Sequence, residues 1–220
     1  GAYNGWERAN WFAQPGDDTS EAATQTWERD GPWTPRIRAE CEAVRDGCGI
    51  IAITGFTRLR VSGTGARDFV DGLTASALPK PDRIGLAYFP DDRGRIVTEM
   101  SVMVKGPDEV ELITAAVAQW HDAEWLRNHA PEGVVVTDHT DARECLLVTG
   151  PRARAILAPL TDHDLAASWL GVSRRGHVAG VPCTLIRVSF AGELGWEIHC
   201  DAARSPAIWD AVTRAGAKPF

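Results

Sequence analysis

The 220-residue sequence predicts an α+β fold with largely antiparallel sheets and packed helices. Strand-like and helix-like segments alternate irregularly, and turns of hairpin type join several of the strands. The clearest of these turns is Pro90–Gly94, a Pro-Asp-Asp-Arg-Gly segment between two apolar runs. The second half of the chain repeats this order of elements, which predicts two ferredoxin-like units packed together.

Helices are predicted where apolar residues recur at helical spacing between recognisable start and stop residues. The first begins near Pro35 and ends at Gly47 and Gly49, which favour a helix C-terminus. The second carries Ala66, Phe69, Val70 and Leu73 on one stripe. Another opens at Gly150-Pro151, since proline is tolerated at the first helical position. The remaining predicted helices span residues 116–128, 165–170 and 206–215.

Strands are predicted where short β-rich or alternating runs are bounded by turn residues. In chain order they span residues 49–53, 57–61, 86–89, 96–104, 110–114, 133–137, 145–148, 177–179, 181–190 and 196–200.

Composition excludes several classes of function. The net charge of −7 and the pI near 5.4 argue against a nucleic-acid partner, which needs a basic face. No run of 18 apolar residues occurs, so no membrane partner is predicted. The five cysteines are scattered and contain no C-x-x-C pair, which favours a reducing compartment. That compartment would be the cytoplasm, or the mitochondrial matrix in a eukaryote.

Domain organisation is predicted from both ends of the chain. The sequence starts at Gly1 and stops just past its last predicted helix, so we expect a domain taken from a longer protein. Residues 1–34 are predicted to be an aromatic-rich arm or linker, with the polar stretch 15–22 as the best candidate for the linker itself. The aromatic side chains either anchor this arm on another surface or pack as an ordinary loop. Residues 35–220 form the predicted folded domain.

Familiar catalytic motifs are missing from the sequence. It contains no G-x-G-x-x-G between a strand and a helix, no phosphate loop, no H-E-x-x-H and no nucleophile elbow. The six histidines lack metal-ligand spacing, so we predict surface or capping roles for them and no metal site. Chemistry in this domain would therefore depend on carboxylates and a bound cofactor.

Glu99 is the first candidate carboxylate. It lies in an almost wholly apolar strand, where alternation places it on one face with Val97, Ser101 and Met103. Both faces of the strand are apolar, so Glu99 is expected to be semi-buried. An ionised carboxylate there costs several kcal/mol unless it is paired. Such a group can exchange protons near neutral pH or hold a cationic amine; the alternative is an ion pair with a neighbouring arginine.

Glu193 is the second candidate. It lies between Gly192 and Gly195 where two β-rich segments meet, and glycines permit close approach of a ligand. A carboxylate held between two such segments offers two acceptor oxygens. These match the ring N–H and the neighbouring exocyclic amine of an amino-pyrimidinone ring. The alternative is an exposed acid at a hairpin tip.

An ordered set of segments resembles the folate-binding region of the glycine cleavage T-protein family. The set is Gly47–Gly55, Leu59–Gly63, Tyr88–Pro90, Gly94–Glu99, Val148–Arg154 and Val188–Glu197. The similarity covers residues 35–220. The arm segment Asn4–Phe12 resembles the junction that follows the flavin-bearing domain in dimethylglycine and sarcosine dehydrogenases.

The resemblance implies a function and a set of site residues. The chain would be the tetrahydrofolate-binding part of such a dehydrogenase, with an FAD-bearing domain upstream in the same polypeptide. Its substrate would be a small N-methyl amine, whose oxidised methyl carbon would be captured as 5,10-methylenetetrahydrofolate. By position, Glu193 matches the acid that binds the pterin, and Glu99 matches the catalytic acid, which is commonly aspartate in relatives. Phe56 and Tyr88 fall on walls of the folate pocket, although core packing explains them equally well.

Other functions remain open at this point. The chain could be a free-standing aminomethyltransferase, or a folate-dependent demethylase acting on methyl ethers or sulfonium compounds. It could also be a folate-binding module without activity, or a structural domain that docks a flavin partner.

Overall fold

The structure, a computed structural model, describes residues 2–3, 6–7, 9–166, 171–189 and 192–220. In chain order, its strands are β1 (Ala2–Tyr3), β2 (Trp6–Glu7), β3 (Gly49–Ala52), β4 (Phe56–Ser62), β5 (Ile84–Pro90), β6 (Ile96–Gly106), β7 (Glu109–Ala115), β8 (Val135–Asp138), β9 (Arg143–Thr149), β10 (Ser173–Val178), β11 (Val181–Val188), β12 (Gly195–Asp201) and β13 (Lys218–Pro219). The α-helices are α1 (Glu21–Thr24), α2 (Thr34–Asp46), α3 (Ala66–Leu73), α4 (Gln119–His129), α5 (Ala153–Leu157) and α6 (Ser205–Arg214). No helix in these ranges is long and apolar enough to cross a membrane.

The first large sheet has five antiparallel strands in the order β5-β6-β7-β4-β8. Without the edge strand β5, the remaining four strands and helices α3 and α4 have the connectivity of a ferredoxin-like unit. Both helices pack on one face of the sheet. The buried residues of this core include Leu59, Val61, Val70, Phe89, Met100, Val102, Leu112 and Leu126.

The second large sheet has six strands in the order β10-β11-β12-β9-β3-β13. Strand β3, which precedes the first unit in the chain, is inserted between β9 and β13 and departs from simple ferredoxin topology. It pairs antiparallel with β9 and parallel with β13. Helices α5 and α6 cover one face, and the core there includes Ile50, Leu146, Val148, Leu157, Trp196, Ile198, Ile208 and Val212.

The uncovered faces of the two sheets are turned towards each other. The edge strands meet where the amide of Ile84 donates to Gly171 O at 2.9 Å and the amide of Ser173 donates to Asp82 O at 2.9 Å. Further in, the Ser173 hydroxyl contacts Met103 Sδ at 3.5 Å. This arrangement confirms the predicted α+β fold with largely antiparallel sheets.

Two predicted segments have local features that the sequence did not indicate or fall partly outside the described residues. The candidate linker, residues 15–22, holds the start of α1, and Asp17 in it pairs with Arg36 of α2 at 2.6 Å. In the predicted helix 165–170, Leu165 and Ala166 are not helical, and 167–170 lie outside the described residues. All five cysteines are free thiols in this structure.

Candidate functional site

A cavity of about 290 Å³ opens between the inner faces of the two sheets. Mainly apolar side chains form its walls, with a few polar groups converging on it, which is the usual make-up of a ligand site. The first sheet contributes Phe56, Arg58, Ile84, Leu86, Glu99, Ser101, Ile113, Thr114 and Ala115. Across the cavity lie Ile53, Cys145, Val188, Glu197 and His199.

Glu99 lies at the mouth of this cavity and is exposed, so the prediction of semi-burial was wrong. Alternation identified its face correctly, because Met103 on that face is buried against the second sheet. Glu99, by contrast, borders the open cavity between the two sheets. Within the described residues, no ion pair or hydrogen bond engages the Glu99 carboxylate, and Arg95 instead pairs with Asp91 at 2.6 Å. The carboxylate is therefore available to a ligand.

Phe56 and Tyr88 flank Glu99 on the same face of the sheet. Phe56 lines the cavity with it and is 41% exposed. Tyr88 pairs with Glu99 in the register of β5 and β6 and is 40% exposed, although it is not part of the cavity wall. Neither aromatic ring is packed in the core, which weakens the alternative of pure core packing for both.

Glu193 lies in the turn between β11 and β12 and lines a neighbouring cavity of about 420 Å³ beside α2. Val188 borders both cavities, so the two hollows adjoin along the end of β11. Ser189 lines the same hollow as Glu193, and its buried hydroxyl has no hydrogen-bond partner among the described residues. A buried hydroxyl without a partner fits a polar ligand edge at this position. Phe190 and Ala191, which belong to the same sequence segment, lie outside the described residues.

Three buried side chains that sequence spacing did not connect meet at the base of the first cavity. His199 Nε2 lies 2.8 Å from Glu197 Oε2 and 3.6 Å from Cys145 Sγ. The register of β12 and β9 places His199 directly opposite Cys145, and Glu197 follows on the same face of β12. His199 is only 4% exposed, so the predicted surface or capping role is wrong for this histidine.

The electrostatics of this cluster follow from its burial. Burial lowers the pKa of His199 and outweighs the opposing effect of Glu197. Burial also raises the pKa of the Cys145 thiol well above its usual range, with a further rise from Glu197 and an opposing effect from the Arg58 guanidinium. Arg58 itself is 5% exposed and donates from a terminal nitrogen to Phe56 O at 2.9 Å, while its Nε has no hydrogen-bond partner in the part of the chain that the structure describes.

One part of this cluster could have been found in the sequence. Glu197 and His199 are two residues apart on a strand, which puts both on one face. Cys145 is 54 residues away from His199, and its position depends on a long-range strand register that composition and periodicity do not define.

Comparison with known proteins shows a match to the GCVT N-terminal domain family over residues 1–219. The chain belongs to this family. It is 30% identical over 221 residues to the mitochondrial dimethylglycine dehydrogenase of Rattus norvegicus, an alignment that covers 98% of this chain and 25% of that protein. The GCVT domain described here thus spans about a quarter of the length of the dimethylglycine dehydrogenases that it matches.

Two solved structures share the fold of this GCVT domain. The glycine cleavage system aminomethyltransferase T from Bartonella henselae superimposes with a TM-score of 0.68 at 20% identity, covering 79% of this chain and 47% of that one. A chain of the heterotetrameric sarcosine oxidase from Corynebacterium sp. U-96 gives a TM-score of 0.62 at 19% identity, covering 87% and 98%. The predicted resemblance to the T-protein family is confirmed.

In this GCVT domain a buried aspartate secures the strand that carries Glu99. Asp122, at the start of α4, is fully buried. Its Oδ2 accepts hydrogen bonds from the hydroxyls of Thr98 at 3.0 Å and Thr114 at 2.7 Å, and its Oδ1 lies 2.9 Å from His121 Nδ1. Thr98 precedes Glu99 on β6, Thr114 lies on β7, and Asp122 belongs to α4. These hydrogen bonds therefore hold the part of β6 next to Glu99 in a fixed position relative to β7 and α4.

Replacing Asp122 with alanine is expected to lower the free energy of unfolding by about 1.5–3 kcal/mol, the usual range for hydrogen bonds to a charged group. The loss includes the penalty of leaving two threonine hydroxyls without their acceptor. Urea unfolding followed by circular dichroism measures it. Glu124→Ala, an exposed change on the same helix, is the control and should stay within about 0.5 kcal/mol of the parent. Equal stability of the two variants would contradict this role for Asp122.

Proposed function

We propose that this domain binds tetrahydrofolate and transfers to it a one-carbon unit derived from the oxidised methyl group of a small N-methyl amine. The observation that carries the proposal is Glu99, an unpaired carboxylate at the mouth of an apolar cavity that adjoins the hollow lined by Glu193. Membership of the GCVT N-terminal domain family and similarity to dimethylglycine dehydrogenase support it.

Glu193 is assigned to the pterin ring. A reduced pterin presents a ring N–H beside an exocyclic amine, and a carboxylate accepts both in a planar pair of hydrogen bonds. Ser189, in the same hollow, offers a hydroxyl whose hydrogen-bonding capacity the protein leaves unused. The two side chains together fit the polar edge of such a ring.

Glu99 is assigned to the reacting carbon, with Phe56 as a wall of the cavity and Tyr88 beside Glu99 on the neighbouring strand. Tetrahydrofolate, when bound, supplies the nucleophilic nitrogens that accept the carbon. The Glu99 carboxylate would stabilise the positive charge of an iminium, accept a proton from a folate nitrogen as the new C–N bonds form, and pass it to the demethylated amine as the original C–N bond breaks. The apolar wall formed by Phe56, Leu86 and Ile113 limits the access of water, which would otherwise hydrolyse the iminium. Proximity and orientation supply the rest of the acceleration.

The product on this proposal is 5,10-methylenetetrahydrofolate, and the amine is oxidised by an FAD-bearing domain upstream in the same polypeptide. The residues 1–34 are proposed as the arm that joins the two domains, and 35–220 as the folate-binding domain. The free thiols fit a reducing compartment, which is the cytoplasm or, in a eukaryote, the mitochondrial matrix.

Calorimetric titration with 5-formyltetrahydrofolate, a stable analogue, tests folate binding. The chain is expected to bind it with micromolar affinity. Glu193→Ala should weaken binding about tenfold or more, which corresponds to about 1.4 kcal/mol. Glu132→Ala is the control, because Glu132 is likewise a glutamate beside a glycine outside the strands, but lines neither cavity.

Two results would contradict the proposal in different ways. Equal affinity of the Glu193→Ala and Glu132→Ala variants would remove Glu193 from the site and leave folate binding intact. Absence of heat with the unaltered chain, and again with the longer polypeptide that contains it, would overturn folate binding itself and favour a docking role.

A further inference from the structure

We propose that Cys145, Glu197 and His199 form a binding site for one divalent transition-metal ion, and that Zn²⁺ fits it best. Their three ligand atoms all lie within 4.8 Å of one another. Zinc bonds of about 2.0–2.3 Å place neighbouring tetrahedral ligand atoms about 3.3–3.8 Å apart. The 3.6 Å between Cys145 Sγ and His199 Nε2 already has this spacing, and a small rotation of the Glu197 carboxylate would bring the 2.8 Å contact into range.

Hydrogen bonding through His199 Nε2 cannot satisfy both Glu197 and Cys145 at the same time. A single ring nitrogen, His199 Nε2, faces both the carboxylate of Glu197 and the thiol of Cys145. If that nitrogen carries a proton, it donates to Glu197 and offers the thiol proton no acceptor. If it carries a lone pair, it accepts from the thiol and points that lone pair at a carboxylate oxygen. A cation between the three atoms removes the conflict, because all three would then act as ligands.

The donor set indicates which ion would bind. A thiolate, an imidazole and a carboxylate together select zinc-like ions, whereas Mg²⁺ and Ca²⁺ prefer oxygen ligands alone. The three residues are at most 9% exposed, so they are shielded from competing water. Two anionic ligands also offset the positive charge of the neighbouring Arg58.

The site would keep one coordination position open. Three protein ligands leave a tetrahedral ion with a fourth position, which is typical of zinc sites that bind water or substrate. All three side chains border the cavity that also holds Glu99, so this position faces the cavity. Arg58 borders it too, and its unpartnered Nε could donate to a water or an anion bound there. The site is independent of folate binding and can exist without it.

Cobalt substitution tests the proposal directly on the full chain. The chain, freed of metal with a chelator, is titrated with Co²⁺ and then with Zn²⁺. One equivalent of Co²⁺ should give the visible bands of a tetrahedral ion and a sulfur-to-cobalt charge-transfer band, both displaced by Zn²⁺. Zinc should also raise the unfolding temperature of the chain, since an ion that binds only the folded state stabilises it.

Two alanine variants on neighbouring strands separate the ligand cysteine from other buried thiols. Cys145→Ala should lose the charge-transfer band and weaken zinc binding by more than the roughly 10–100-fold that loss of an outer-shell partner costs. Cys200→Ala is the matched control, because Cys200 follows His199 on β12, is equally buried and faces the opposite side. The Cys200→Ala variant should keep the charge-transfer band and the zinc affinity of the unaltered chain.

The unaltered chain makes the test decisive even if a variant fails to fold. Absence of a charge-transfer band with unaltered protein, or a band that Cys145→Ala retains, would overturn the metal site. Neither result depends on folate, so the proposal fails or survives separately from the function proposed above.

Discussion

Replacing Glu99 with glutamine is expected to slow one-carbon transfer to tetrahydrofolate by about 10²–10⁴-fold, the usual contribution of a positioned acid or base. Glutamine keeps the shape of the side chain but removes its negative charge and its ability to exchange a proton. Because the Glu99 side chain is exposed and makes no hydrogen bond or ion pair within the described residues, the fold should be unaffected. The substitution would thus lower the rate of one-carbon transfer without changing the stability of the fold.

The measurement is the fate of the oxidised carbon in the polypeptide that carries the proposed flavin domain. Oxidation of the N-methyl amine is followed with an artificial electron acceptor, and methylenetetrahydrofolate and formaldehyde are quantified as products. The variant should oxidise the amine at the parent rate and release formaldehyde in place of methylenetetrahydrofolate. Glu124→Gln, on the helix behind the opposite face of the sheet, should behave as the parent does. An unchanged product ratio in the Glu99 variant would remove Glu99 from the reaction.

The face on which Glu99 lies could be predicted from the sequence, but its environment could not. Alternation along β6 places Glu99 with Met103, and both side chains do leave the same face. Whether a side chain on that face is buried depends on how far the opposing sheet extends, and strand periodicity contains no information about that extent. Met103 contacts Ser173 of the second sheet and is buried, whereas Glu99 borders the open cavity between the sheets and is exposed.

Most helices and strands were predictable because their signals are local. The stripe of α3, the hairpin turn after β5 and the proline near the start of α5 each depend on residues close in sequence. The insertion of β3 between β9 and β13 was not predicted, since strand order depends on packing across the whole chain. The contact between Cys145 and His199 was not predicted for the same reason, because it depends on the register of two strands that are far apart in the sequence.

A further large effect is expected in the second core, where Trp196→Ala should lower the free energy of unfolding by about 3–5 kcal/mol. Trp196 is 1% exposed, and the guanidinium carbons of Arg154 and Arg187 lie 5.8 and 5.2 Å from its ring centroid. Its removal would leave a large cavity and would remove the cation–π contacts of both guanidinium groups with the indole ring. Against a typical stability of about 5–15 kcal/mol, the loss is a large fraction of the total.

Urea unfolding followed by far-ultraviolet circular dichroism measures this loss. Trp27→Ala is the matched control, because Trp27 is fully exposed and the same substitution there removes no packed surface. Its free energy of unfolding should stay within about 0.5 kcal/mol of the parent.

Trp196 points into the core while its neighbour Glu197 points into the cavity. Because the two residues are adjacent on β12, the packing of Trp196 affects the position of Glu197. A variant that loses Trp196 should therefore also bind metal and folate less tightly, and a Trp196→Ala chain as stable as Trp27→Ala would contradict the packing described for this core.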